Sequence, residues 1–190
     1  MKYGYFPAPV DPVKRRALNE KVLYLIESGK QADFGVSAED LFNAYTGDGG
    51  LHGLERGDYA NYHEYSEAKK GIENGQFFTP PDVCRLVCEA LALSPSDLIA
   101  DLTCGKGSFF NFVPVEANAY GCEVDEKAYK VARHLFPDAN LTLGDIRSYK
   151  TDVRFDYVLG NPPFNLKWYA DGEDGCLSQL YCCLNAAELM

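Results

Sequence analysis

The sequence predicts an α/β protein: a parallel, doubly wound sheet of four strands preceded by a helical region. From Thr79 onward, four short apolar runs alternate with helical or loop segments, the arrangement that parallel strands require for their crossovers. Before Thr79 the apolar residues fall at helical spacing and no strand-like run occurs. The boundary lies near residue 75, which gives an N-terminal helical extension over 1–74 and a sheet core over 75–190.

Each element has its own justification. Residues 12–29 present Val13, Ala17, Val22, Leu25 and Ile26 on one face and close at Ser28-Gly29, so an amphipathic helix is expected there. A second helix starts at Ser37, whose hydroxyl can cap the first turn while Asp40 completes a capping box. It passes Leu41, Phe42 and Ala44 and stops near Gly47, ahead of a loop at Asp48-Gly49-Gly50. Residues 51–75 have weak periodicity, with a short helix expected near 63–71. Thr79 reads as an N-cap and Pro80 as the first helical residue of a helix reaching about Leu93. Its expected buried face is Val83, Leu86, Val87, Ala90 and Leu91. Strands are expected over 98–102, 117–122, 140–143 and 153–159, with helices over 126–136, capped by Asp125, and 174–190. A right-handed crossover from the fourth strand calls for a fifth, and no such run follows, so the sheet reads as partial.

Composition narrows the function. The 190 residues are 46% hydrophobic and 24% charged, with a net charge of −10. That balance argues against a chain gripping nucleic acid over its whole surface. The basic cluster of Lys2, Lys14, Arg15, Arg16, Lys21 and Lys30 reads as a solvated helix face. No apolar run approaches the ~18 residues of a membrane span and no signal-peptide core is present, so a cytoplasmic protein without a membrane partner is expected. The seven cysteines include no Cys-x-x-Cys, and the three histidines are not at ligand spacing. Reduced, mostly buried thiols and no metal site follow.

Chemistry concentrates at the four strand ends. The first strand runs into Asp101 and the loop Thr103-Cys104-Gly105-Lys106-Gly107, where two glycines let backbone turn tightly and approach a ligand. Glu123 ends the second strand, 22 residues beyond Asp101, the place of a ribose-binding acid in nucleotide-binding α/β folds. The third strand ends in Gly144-Asp145-Ile146, either a turn former or an acceptor for an adenine amino group. The fourth ends in Asn161-Pro162-Pro163-Phe164. Each proline holds its predecessor extended, so the turn projects carbonyl acceptors and an aromatic ring beyond the sheet. Two acceptors and a stacking face suit a flat ring bearing an amino group.

Together these residues resemble the S-adenosylmethionine-dependent amino-methyltransferases, in particular the gamma-type N6-adenine DNA methyltransferases of restriction-modification systems. The resemblance spans residues 75 to about 165 and begins at Gly75-Gln76-Phe77-Phe78-Thr79-Pro80-Pro81, the more discriminating motif. Asn-Pro-Pro-aromatic alone is shared with RNA and protein-glutamine methyltransferases. The resemblance implies a Rossmann-like methyltransferase sheet and S-adenosylmethionine as cofactor. Phe77, Phe78 and Thr79 would contact its methionine part, opposite Asp101, Thr103, Gly105 and Gly107. Glu123 would hold the ribose, Asp145 the adenine amino group, and Val124 and Ile146 would flank the ring. Asn161 and the Pro162 carbonyl would accept the hydrogens of the target amino group, with Pro163 stiffening the turn and Phe164 stacking on a flipped adenine of DNA. Cys104 would fill a small-residue position and need not react.

The family's later strands and target-recognition domain have no counterpart here, so the resemblance implies a partial core. Such a core needs a recognition domain or subunit and is expected to methylate little on its own. An RNA or protein-glutamine methyltransferase, and a non-catalytic cofactor-binding or assembly fragment, remain open alternatives. A dinucleotide dehydrogenase does not fit, because Phe110 stands where its third loop glycine belongs.

Overall fold

In a computed structural model, residues 1–5, 21–22, 24–28, 37–44, 56–73, 78–163, 167–168 and 176–190 are described. The sheet consists of β1 (Ile99–Asp101), β2 (Ala119–Glu123), β3 (Asn140–Leu143) and β4 (Tyr157–Val158), in the order β3-β2-β1-β4. Every pairing is parallel, with Ala100 beside both Tyr120 and Val158. The chain winds outward from β1 to β3 and then returns to the other side of β1. The direction therefore reverses between β1 and β4, and the crevice beyond their C-terminal ends is the switch point where such sheets bind ligands.

Among the described residues, helices α1 (Ala38–Ala44), α2 (Tyr62–Glu73), α3 (Pro81–Ala90), α4 (Glu126–Leu135) and α5 (Ser178–Leu189) accompany the sheet. Residues 21–22 and 24–28 are also helical, and Val22 and Leu25 are buried there. The rest of the helix expected over 12–29, the loop at Asp48-Gly49-Gly50, and Gly75, Gln76, Phe77 and Phe164 lie outside the described residues. Among the described residues, no helix is long and apolar enough to cross a membrane.

Local signals set several boundaries. At α1 the Ser37 hydroxyl accepts the Asp40 amide at 3.0 Å and the Asp40 carboxylate accepts the Ser37 amide at 2.9 Å, the expected capping box. Asp125 caps α4 by accepting the Ala128 amide at 2.8 Å. The α4 face of Ala128, Val131, Ala132 and Leu135 is buried, and Arg133 and His134 stand in the last turn, where positive charge opposes the helix dipole. Asn61 caps α2, accepting the Glu64 amide at 2.9 Å, and the helix runs further than the expected 63–71.

Several expectations need correction, among them the helix expected over 174–190, which begins at Ser178 after the strand pair residues Cys176–Leu177. The helix after residue 79 begins at Pro81, its N-cap is Pro80, and no side chain caps it, so Thr79 does not. Its buried residues are Pro81, Cys84 and Cys88, while Val83 and Leu86 are exposed at 45% and 66%. The small thiols face the core in the same cluster as Phe109 and Phe110, and only Val87 and Leu91 of the expected face pack against it. The fourth strand is shorter than 153–159 because the Phe155 amide donates to the Leu189 carbonyl at the end of α5, 3.0 Å away. A short antiparallel pair, β5 (Lys167–Trp168) with β6 (Cys176–Leu177), stands apart from the main sheet.

Apolar residues gather in two clusters. One contains Phe109, Phe110, Val131, Leu135 and Phe136 together with Val22, Leu41 and Phe42 of the N-terminal region. The other holds Ala100, Leu102, Ile146, Phe155 and Leu189. The chain start is tied in as well. The Asn111 side chain accepts the Lys2 and Tyr3 amides at 3.0 and 2.6 Å and donates to the Tyr3 carbonyl at 2.9 Å. The Tyr3 ring meets those of Phe42 and Phe136. Residues 1–5 and α1 thus share a core with the sheet's helical layer.

Candidate active site

The glycine loop after β1 is shaped by two left-handed residues, Gly105 at φ 55° and Gly107 at φ 82°. A Cβ on Gly105 would lie 2.9 Å from the Phe78 ring, which places that ring against the loop. A Cβ on Gly107 would meet Phe110 at 2.7 Å and Phe136 at 2.9 Å. The loop is anchored to β2 at two points: the Cys104 amide donates to the Cys122 carbonyl at 3.0 Å, and the Gly105 amide to Glu123 Oε2 at 2.7 Å. Glu123 is buried, and its other oxygen accepts the Asp125 amide at 2.7 Å. Burial raises its pKa, and the backbone amides oppose that rise.

Asp101 is more deeply buried. Its Oδ1 accepts the Thr103 amide at 3.1 Å, and burial raises its pKa to about 7, with the Thr103 amide opposing and Glu123 adding to the rise. Gly160, just before the Asn-Pro-Pro turn, passes so near that a Cβ there would lie 2.7 Å from Asp101 Oδ1. Asp145 opens a 3-10 turn and accepts the Arg147 amide at 2.9 Å and its guanidinium Nε at 3.0 Å. That guanidinium holds the carboxyl below its ordinary pKa. Burial pushes the Cys104 thiol well up, so it carries little thiolate near neutral pH.

The turn after β4 is braced on both sides. The Thr103 hydroxyl donates to the Asn161 main-chain carbonyl at 3.4 Å, and the fully buried Ser178 hydroxyl, at the start of α5, donates to the Pro163 carbonyl at 2.5 Å. Among the described residues nothing donates to the Pro162 carbonyl between them. Because the sheet order is β3-β2-β1-β4, the polar strand ends line up as Asp145, Glu123, Asp101 and Asn161 along one edge. Of the two residues expected to flank a ring, Val124 is 64% exposed, whereas Ile146 is buried among Ala100, Leu102 and Phe155. Ser178, Gly160 and Arg147 were not singled out by the sequence, although Gly160 directly precedes the Asn-Pro-Pro turn and Arg147 stands two residues after Asp145.

The family model for N-6 DNA Methylase matches residues 61–179, which contain all four strand ends. The chain belongs to the N-6 DNA methylase family. Curated relatives include Type II methyltransferase M.CvrRI of Paramecium bursaria Chlorella virus XZ-6E, 30% identical over 106 residues, covering 54% of this chain and 28% of the relative. The MjaIX methylase subunit of a type I restriction enzyme from Methanocaldococcus jannaschii is 32% identical over 117 residues, covering 50% of this chain and 20% of the subunit. The chain thus spans less than a third of the length of these relatives. Solved structures share the fold. A type I restriction-modification methyltransferase subunit from Streptococcus thermophilus aligns with a TM-score of 0.50 at 16% identity, over 100% of this chain and 54% of that one. A Listeria monocytogenes protein assigned to the class I S-adenosylmethionine-dependent methyltransferases gives 0.51 at 14% identity, over 93% of this chain and 70% of that one. This member of the family therefore shares its sheet with solved methyltransferase structures.

Proposed function

We propose that the chain carries the catalytic core of an S-adenosylmethionine-dependent enzyme that methylates the N6 amino group of adenine in DNA within a restriction-modification system. The observation that carries this reading is the alignment of Asp145, Glu123, Asp101 and Asn161 along one sheet edge, with the switch point between the last two. The residues suit the cofactor. Glu123 Oε2 accepts the Gly105 amide and Oε1 the Asp125 amide, and a carboxylate with about four acceptor sites can also take a ribose hydroxyl. Asp145, kept ionised by Arg147, suits the exocyclic amino group of adenine, beside the exposed Val124. Phe77, Phe78, Thr79, Asp101, Thr103, Gly105 and Gly107 are assigned to the methionine part. When bound, S-adenosylmethionine supplies an electrophilic methyl group on a sulfonium.

The chain's own residues then prepare the acceptor. The Asn161 side chain and the Pro162 carbonyl accept the two hydrogens of the target amino group, so its nitrogen can pyramidalise and direct a lone pair outward. Thr103 and Ser178 fix the carbonyls on either side of Pro162, so the acceptors need little rearrangement when charge develops. Phe164 stacks on the adenine turned out of the duplex, offsetting part of an unstacking cost of a few kcal/mol. With a net charge of −10, the grip on DNA phosphates falls to a basic recognition domain or subunit.

The test is expression of the gene's full product in a host lacking N6-adenine methylation, followed by digestion of DNA, RNA and protein. N6-methyldeoxyadenosine should appear in DNA and vanish with Asn161→Ala. Methyl groups found only in RNA or on protein glutamine would overturn the proposal.

A further inference from the structure

Lys106 is the charged residue of the glycine loop, and the cofactor reading leaves it without a task. It stands between the left-handed Gly105 and Gly107, yet its side chain is only 1% exposed. Its ammonium donates to the Phe42 carbonyl in the last turn of α1, 64 residues away, and lies 4.4 Å from the centroid of the Phe42 ring. A cation in that last turn opposes the helix dipole. Packing alone does not call for a lysine, since an apolar side chain of equal length fills the same space without desolvating a charge. Burial holds its pKa at about 7, with Cys84 of α3 opposing the fall.

A second link runs alongside. Gly107 abuts Phe110 and Phe136; the Tyr3 ring packs on Phe136 and Phe42; and Asn111, in the turn just after the loop, binds the backbone of Lys2 and Tyr3. The loop and the N-terminal layer therefore share a charge contact and an aromatic contact. Gly105, next to Lys106, is the residue whose amide reaches Glu123. Lys106 directly follows that anchored residue in the chain.

We propose that Lys106 is a positioning residue that couples docking of the N-terminal layer, residues 1–5 and α1, to the affinity of the glycine loop for S-adenosylmethionine. This rests on the proposed cofactor role of the loop. Coupling is reciprocal: if a docked α1 favours the ligand-binding loop, the ligand must equally favour a docked α1.

The experiment is hydrogen exchange of the 190-residue chain with and without S-adenosylhomocysteine, together with calorimetric titration. In the wild type the ligand should slow exchange at the amides of 38–44. Lys106→Met should lose that protection and bind about tenfold more weakly, with one site per folded molecule. A merely structural lysine would lower the number of competent molecules and leave the Kd of the remainder, and the protection of α1, unchanged; that result overturns the inference. If Lys106→Met does not fold, Phe42→Leu, which keeps the carbonyl and removes the ring, should weaken binding and α1 protection together, and unchanged values overturn it. A wild type that binds no S-adenosylhomocysteine overturns the cofactor reading itself, a distinct outcome.

Discussion

Asp101→Asn is the substitution with the most surprising expected effect, a gain in stability that depends on pH. Asp101 is buried, and its pKa rises from the ordinary 3.8 to about 7. Its contribution is therefore fully present below 3.8 and is lost as pH rises through 7, because the folded state disfavours the ionised form. At about 1.4 kcal/mol per pH unit, that rise corresponds to about 4 kcal/mol of destabilisation above pH 7. Asparagine keeps an oxygen for the Thr103 amide but brings an NH2 group that must find a partner, an opposing effect of about 1–2 kcal/mol. The variant should be about 2 kcal/mol more stable than the wild type at pH 8, with the advantage shrinking toward pH 5. Urea unfolding at pH 5, 6, 7 and 8 measures the difference directly, and neighbouring Glu123 titrates in both proteins. A difference that stays constant from pH 5 to 8 would refute the reasoning, since it would mean that Asp101 ionises as an exposed carboxylate does.

Two further perturbations follow from the geometry. Gly107→Ala puts a Cβ 2.7 Å from Phe110 and 2.9 Å from Phe136 at φ 82°, so left-handed strain and overpacking together should lower stability by about 3 kcal/mol, read from thermal or urea unfolding. Ser178→Ala removes the donor to the Pro163 carbonyl, which should lower stability by about 1–3 kcal/mol and reduce kcat for methyl transfer by the full gene product, with the Kd for S-adenosylhomocysteine unchanged. A Ser178→Ala enzyme with wild-type kcat would remove Ser178 from the bracing of the turn.

What was legible in the sequence was local. Ser37 with Asp40, Asp125 with Ala128, and the run Asn140–Leu143 each depend on residues within a few positions, and each element formed where the pattern put it. The acids at strand ends were equally legible, because a parallel sheet delivers every strand's C-terminal end to one edge. The face of α3 was not. Counting apolar residues favoured Val83 and Leu86, but the helix packs with Cys84 and Cys88 inward, in one cluster with Phe109 and Phe110 that lie over 20 residues on. Lys106 and Ser178 act on carbonyls 64 and 15 residues away, and no local pattern encodes those partners. Ile146 packs with Ala100, Leu102 and Phe155 after the 3-10 turn that Asp145 opens, a burial that its place in the sequence did not reveal.

The proposed binding site for S-adenosylmethionine consists of the glycine loop, Glu123 and Asp145 at the sheet's C-terminal edge. Calorimetric titration of the chain with S-adenosylhomocysteine, repeated with a Glu123→Ala variant whose fold is verified by circular dichroism, tests it most directly. The wild type should show one saturable site that S-adenosylmethionine competes for and that the folded variant lacks. Absence of binding to the wild type, or equal binding by the folded Glu123→Ala variant, would contradict it.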